Sequence, residues 1–503
     1  LGATVASIEK DFTTGSLEPT GKATDLAVDG DGFFVVQSDS QKFTRDGSFV
    51  LNANNELVST AGDFVQGFGV DANFNVVPGK LQNVNIPLGS STSAKATENM
   101  KLEGNLNAAG AVASGASILN SQQFTLKTGA TSASLDANTL LTDLAAPTAL
   151  TTQLFNSGDV LTLAGQKGGR DLDKQTLDVT GATTLGDLET FFQNGLGIDT
   201  NVPANPNPLV PTPGVSVDVT GANGVLTVTG NVGAENALAV TSSGFTNSTG
   251  GSPLTFADGQ NSAGIQSDPN GESVNTSMVA YDSLGTPINV SITAVLEDKA
   301  NTGNTWRFYA NSGDSQNKNL ALGSGTLTFD SAGKLTASTG TTISIDRSGT
   351  GAGTPMAVKV DFSSMSSLTS RDSEMVMSEQ DGSPIGRLDS FSIGSDGRIT
   401  GSFSNGLTRN LGQLALANFN NQQGLIDQGG NMFVAGPNSG VPIIAAPQTL
   451  GSGSIRAGAL ELSNVDLSKE FVNLIISSTG FSASSRVIST SDQLLTELLN
   501  SSR

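Results

Sequence analysis

Residues Asp25–Val36, DLAVDGDGFFVV, set two carboxylates and two glycines directly before an apolar run. The stretch reads either as the start of a calcium loop or as a tight reversal of the chain, and the choice separates a metal-binding protein from a β scaffold. A helix-loop-helix calcium site places oxygen ligands at alternate positions and closes with a bidentate Glu. Here the next ligand position is Phe33, and no closing Glu arrives. Asp and Gly are the residues that tolerate positive φ in two-residue connections. Asp29, Gly30, Asp31 and Gly32 are therefore expected to form a structural hairpin turn, with no metal, and Phe33 to Val36 the strand that follows it.

The same pattern continues outward. From Ala3 to about Leu88, short β-branched and aromatic runs are punctuated by RDGS, NANNE and DANFN, the composition of hairpins. It returns after Arg387 in LDSFSIGSDGRITGSFSNG, and a third set from Val279 to Phe329 carries DSLG and the only Trp, Trp306, and runs on into DSAG. The stretch from about Ala111 to Gly271 differs: it is rich in Thr, Ala, Gly and Asn, with a proline tract, VPANPNPLVPTPG, and one helical pattern, TTLGDLETFFQ. In that pattern Thr183 or Thr184 can cap, and Leu185, Leu188, Phe191 and Phe192 share a face. The expected fold is mainly β, with several antiparallel β domains that are discontinuous and nested by insertion, plus a long C-terminal α-helix. Residues 1–100 with 385–460 form the inner domain, 101–125 with 271–384 the second, 126–270 the inserted part, and 461–503 the helix. A chain of 503 residues has room for about three or four such domains.

Composition excludes much chemistry. With 25 basic and 46 acidic side chains the net charge is −21, which repels phosphate backbones and anionic membranes. No nucleic-acid or membrane partner is expected. The chain has no Cys and no His, so disulfides, thiolate nucleophiles, imidazole bases and nearly all zinc sites are ruled out. Apolar stretches such as FVNLII are far shorter than the ~20 residues of a membrane helix. Neither an enzyme activity nor a cofactor is expected.

After Leu460 the text changes to SNVDLSKEFVNLIISSTGFSASSRVISTSDQLLTELLNSSR, without proline and with one glycine. Ser463 and Asp466 form a capping-box pattern that predicts a helix start near Asn464. Steps of three and four residues then give Leu467, Phe471, Leu474, Ser478, Phe481, Ser485, Ile488, Asp492, Leu495 and Leu499, a 3.5-residue repeat. The apolar members, Leu467, Phe471, Leu474, Phe481, Ile488, Leu495 and Leu499, are the candidate polymerisation seam, and the polar ones weaken it. A helix of this length reaches roughly 50 Å, so its natural partner is another helix.

TGKATDLAVDGDGFFVV and FTRDGSF resemble the N-terminal signature of the bacterial flagellar rod and hook proteins. LGQLALANFNNQQGLIDQGGNMFVAGPNSG and GALELSNVDLSKEFVNLI are similar to the C-terminal signature of the same family, and VAYDSLGTPINV with the Trp306 strand resembles the second domain of its hook members. The likeness covers Leu1 to about Asn107 and Val274 to Arg503. Residues between about Ala111 and Gly271 match loosely and would form an extra outer domain. The resemblance implies a structural subunit of the flagellar hook that assembles with itself into a curved hollow tube, a universal joint passing torque from rod to filament. It places the terminal helix along the tube channel and implies an N-terminal partner helix that is absent here. It also implies an extracellular place in the flagellum, reached through the flagellar type III export apparatus, and the distal rod protein, the hook–filament junction protein and the hook cap protein as further partners. The alternative reading of the acidity and the repeated Asp-Gly pairs is a secreted β-rich adhesin or calcium-binding surface protein.

Overall fold

Phe33, Phe34, Val35 and Val36 are all buried, because their strand, Phe33–Gln37, has an apolar core on each face. The structure is a computed structural model that describes residues 10–71, 74–203, 209–249 and 251–501. Phe34 and Val36 point into a cluster with Phe49, Leu57, Ile399 and Leu414. Phe33 and Val35 point into another with Phe43, Phe419 and Phe433. There Phe43 meets Phe419 edge to face at 4.8 Å and Phe33 meets Phe433 at 6.0 Å, the geometry that ring quadrupoles favour.

The chain divides into two units, residues 1–92 with 386–503, and residues 93–385. In the first unit, strands from the two ends of the sequence are interleaved in one sheet. Phe64–Val70 pairs with Thr408–Leu414, and Gln41–Thr44 pairs with Met432–Val434. Neither end of the sequence holds a complete sheet, so the unit is discontinuous by construction.

Asp29, Gly30, Asp31 and Gly32 do not form a hairpin. Leu26–Asp29 pairs with Ser454–Ala457, whereas Phe33–Gln37 pairs with Gln41–Thr44, Phe64–Val70 and Leu416–Asn418. The four residues are a corner that carries the chain from one sheet into another. Gly30 and Gly32 do adopt positive φ, 110° and 137°, and a Cβ on Gly30 would lie 3.1 Å from the Gly453 Cα. Asp-Gly pairs signal that backbone conformation. They carry no information about which strand pairs next, and here the partners come from the far end of the chain.

In the second unit a five-stranded antiparallel sheet runs in sequence order through Ser273–Tyr281, Pro287–Ala300, Gly303–Asn311, Ala321–Asp330 and Leu335–Ser338. It faces a four-stranded sheet in which Asn99–Asn105 sits between Met356–Ser366 and Glu374–Gln380. That strand is parallel to Met356–Ser366, since it arrives from before the insertion. The shared core holds Trp306, Phe308, Phe329 and Phe362, and the Trp306 indole donates to Ser367 Oγ at 3.2 Å. The DSLG turn is tied down by Asp282. Its Oδ1 accepts from the Leu284 and Thr286 amides at 2.9 Å, and its Oδ2 accepts from Arg347 Nη2 at 3.0 Å.

A separate core forms around α1, Leu185–Gly195, where Thr184 and Asp187 make a reciprocal capping box and Leu185, Leu188, Phe191 and Phe192 are buried. Ile118–Ser121 pairs with Asn223–Thr229 and Phe256–Asp258, and Phe124–Leu126 with Asn223–Thr229. Leu119 and Phe124 pack into the α1 core. Residues 118–125, placed by the sequence division in the second domain (101–125), therefore belong with the insert, because their apolar pattern does not say which core they fill.

Lys167 is buried in the same region, and its Nζ donates to Gly197 O at 2.7 Å. Burial, reinforced by the Arg170 guanidinium and opposed by Asp199, pushes its pKa down to about 7 from 10.5. Between those values the unfolded chain binds a proton that the folded chain does not. Stability should therefore rise with pH across that window, by about 1.4 kcal/mol per pH unit. Below the folded pKa both states are protonated and the slope vanishes. Lys167→Met is expected to flatten this rise in urea melts taken at increasing pH; an unchanged slope would mean that another group titrates.

Candidate functional site

The C-terminal helix, α2, spans Leu467–Ser501, and none of its described side chains is buried. Its cap differs from the expected box. Asp466 Oδ1 accepts from the amides of Ser468 at 2.9 Å and Lys469 at 3.2 Å, and its carbonyl accepts from Glu470. Asp466 is thus the N-cap itself, while Ser463 Oγ only accepts from the Val465 amide. The helix starts three residues beyond Asn464 because residues 461–464 are held extended. Leu462 N donates to Ser16 O at 2.8 Å, and the Asn464 side-chain amide donates to Thr13 O at 2.9 Å and Asp11 O at 3.2 Å.

All seven seam residues face solvent: Leu467, Phe471, Leu474, Phe481, Ile488, Leu495 and Leu499. At about 100° per residue they lie along one line, drifting by ~20° per heptad. The sequence reading missed a second line on roughly the opposite side, made by Val472, Ile476, Ala483, Val487, Leu494 and Leu498, all exposed. Its signal was present as another set of four- and seven-residue steps. An isolated surface helix has one apolar stripe, so a helix with two is built to be covered from two directions. Thr479, Thr490 and Thr496 return their hydroxyls to the carbonyls of Ile475, Arg486 and Asp492, which lets these positions face an apolar neighbour without an orphaned donor.

The root of the helix joins back to the Asp29–Gly32 corner. Arg45, in FTRDGSF, places Nε 3.1 Å from Glu461 Oε2 and Nη2 3.2 Å from Oε1, a bidentate pair in which both side chains are nearly buried. The same guanidinium donates to the carbonyls of Gly30 at 3.1 Å and Gly32 at 3.4 Å. Glu461 Oε1 also accepts from the Gly15 amide at 2.8 Å. The Gly15 backbone lies so close to Leu462 that an added Cβ would sit 1.9 Å from the Leu462 carbonyl oxygen. Among the described residues, no three acidic side chains are grouped to hold a metal.

Three family models match separate stretches of the chain. Flagellar hook protein FlgE/F/G D1 domain matches residues 27–112, Flagellar basal body protein FlaE D2 domain residues 259–383, and Flagellar basal body rod FlgEFG protein C-terminal residues 456–501. The flagellar hook protein FlgE of Helicobacter pylori (strain ATCC 700392 / 26695) is 28% identical over an alignment covering 99% of this chain and 90% of that protein.

The chain belongs to the flagellar hook and rod protein family.

Other flagellar hook proteins FlgE match over shorter stretches. That of Treponema pallidum is 45% identical across 25% of this chain and 27% of its own, and that of Escherichia coli K12 is 33% identical across 44% and 54%. The crystal structure of Helicobacter pylori flagellar hook protein FlgE2 aligns with a TM-score of 0.47 and 19% identity, covering 88% of this chain and 100% of that one, a likeness too distant to bear on the arrangement of parts. This hook-family chain is a structural, non-enzymatic subunit of the extracellular flagellar hook and basal-body region. Residues between the first two matched stretches, which include the α1 core, lie outside all three models.

Proposed function

We propose that the subunit assembles with copies of itself into a curved hollow tube that acts as a universal joint, passing torque from rod to filament. The observation that carries this reading is α2, a 35-residue helix with two exposed apolar lines. Each large apolar side chain placed out of water contributes about 1.5–3 kcal/mol, which α2 gains only by packing against further helices. Repeating one such contact by a fixed rotation and rise generates a helical polymer. A bent tube shortens the spacing of subunits on its inner side and lengthens it outside. Ser-, Asn- and Gly-rich faces outside the helix suit contacts that slide. The distal rod protein, the hook–filament junction protein, the hook cap protein and the export apparatus are the further partners of this reading.

The test is electron microscopy, at rising concentration, of the purified protein carrying the N-terminal partner helix of this reading, with a swimming assay in cells whose own hook protein has been deleted. Curved tubes and restored motility are expected. Separate particles under all assembly conditions, with no motility, would overturn the reading.

A further inference from the structure

Among the described residues, α2 buries no side chain against the sheets of its unit, and its attachment to them runs through residues 461–466. We propose that Asn464, backed by the Arg45–Glu461 pair, is a positioning device that fixes the direction in which α2 leaves the sheets, and that this joint sets the stiffness of the assembled tube. The second half of the inference rests on the assembly reading; the first does not.

Asn464 is suited to the role by its chemistry. One short amide spans the carbonyls of Asp11 and Thr13, which locks two extended segments in translation. Glu461 secures the neighbouring position with both oxygens, one shared by the Gly15 amide and Arg45, the other taken by Arg45. Arg45 then spends its remaining donors on the carbonyls of the Asp29–Gly32 corner. Hydrogen bonds thus tie the corner to Arg45, Arg45 to Glu461 and Glu461 to Gly15, and Asn464, two before the cap of α2, holds Asp11 and Thr13 of the same segment. The close backbone approach of Gly15 to Leu462 leaves no slack in it. Because the joint is polar, it fixes direction while leaving both apolar lines of α2 free for other helices.

The chain has no Cys, so two introduced thiols can be spin-labelled cleanly. Lys22→Cys and Val465→Cys, both at exposed positions, would report the separation of sheet and helix root in the dilute full-length chain. The parent should give one narrow distance peak. Asn464→Asp, which sets a carboxylate against two carbonyls, should lose it. Arg45→Glu combined with Glu461→Arg should also lose it, although the charges are still opposite, because position 45 must serve the corner carbonyls as well. Unchanged peaks in Asn464→Asp, or full restoration in the swapped pair, would overturn the positioning role. Tubes of Asn464→Asp should still form, break at lower shear and vary more in curvature. Tubes as stiff and regular as the parent's would overturn the link to stiffness. Absence of tubes from the parent itself would instead remove the assembly reading, with the distance measurement still deciding the joint.

Discussion

Leu474→Asp is expected to abolish tube formation while both β units stay folded. Leu474 is 64% exposed, so the substitution removes no core contact, and surface changes of this kind usually stay within about 0.5 kcal/mol. Melting should therefore be unchanged within ~2 °C. In the proposed tube the same position would lie on the seam, where a carboxylate would be desolvated without a partner. That penalty recurs at every subunit, because a helical polymer repeats each contact. Phe481→Asp should behave alike. Gln493→Glu is the control, since it adds charge on the face carrying Ser468, Arg486 and Glu497, away from both apolar lines. Sedimentation and electron microscopy read the polymer, and circular dichroism reads the fold. Normal tubes from Leu474→Asp would refute the seam, and a large drop in melting temperature would show that α2 packs within its own chain.

The second large effect is expected at Arg347→Met. Arg347 and Asp282 are almost entirely buried, and Arg347 also donates to Asp314 O at 2.7 Å. Removing one partner of a buried pair leaves an uncompensated charge and costs about 3–5 kcal/mol, a loss on the order of 10 °C in melting for a unit of this size. Trp306, the only Trp, lies in the core of the same unit, so its fluorescence isolates this transition. The pH dependence gives a separate check. Burial pushes the Asp282 carboxyl up, but hydrogen bonds from the Thr286 amide, Arg347 and the Leu284 amide outweigh it and hold the pKa below 3.8. A lowered folded-state pKa means that this stabilisation is present above the unfolded value and is lost as pH falls through the folded one. Arg347→Met should lose much of that acid sensitivity. Equal melting curves for the two proteins at neutral pH would show that the pair contributes nothing.

What the sequence revealed depends on the range of the interaction behind each feature. The cap of α1 is local, so the sequence narrowed it to Thr183 or Thr184, and the structure gives it to Thr184 in a box with Asp187. The DSLG reversal at Asp282 was legible too, as was the strand at Phe33. The pairing of Asp282 with Arg347 was not, since nothing near either residue announces the other. The Asp29–Gly32 corner failed for the same reason: its backbone conformation is local, but its strand partners are not. At the helix, the 3.5-residue repeat was plain. Its start was misjudged because Asn464 spends its side chain on Thr13 and Asp11, which keeps the capping-box residues extended and leaves Asp466 to cap. The second apolar line is harder to read because only the small Ala483 bridges Ile476 and Val487 in it. Arg45 looked like a turn residue within RDGS, and only the fold brings Glu461 to it.

The most direct measurement is electron cryo-microscopy of assembled tubes at a resolution that shows side chains on α2. The account predicts Leu467, Leu474, Phe481, Ile488 and Leu495 enclosed by neighbouring helices, with the second line through Ile476, Val487 and Leu494 covered from another side. Tubes held together by the β units alone, with α2 standing in solvent, would contradict it.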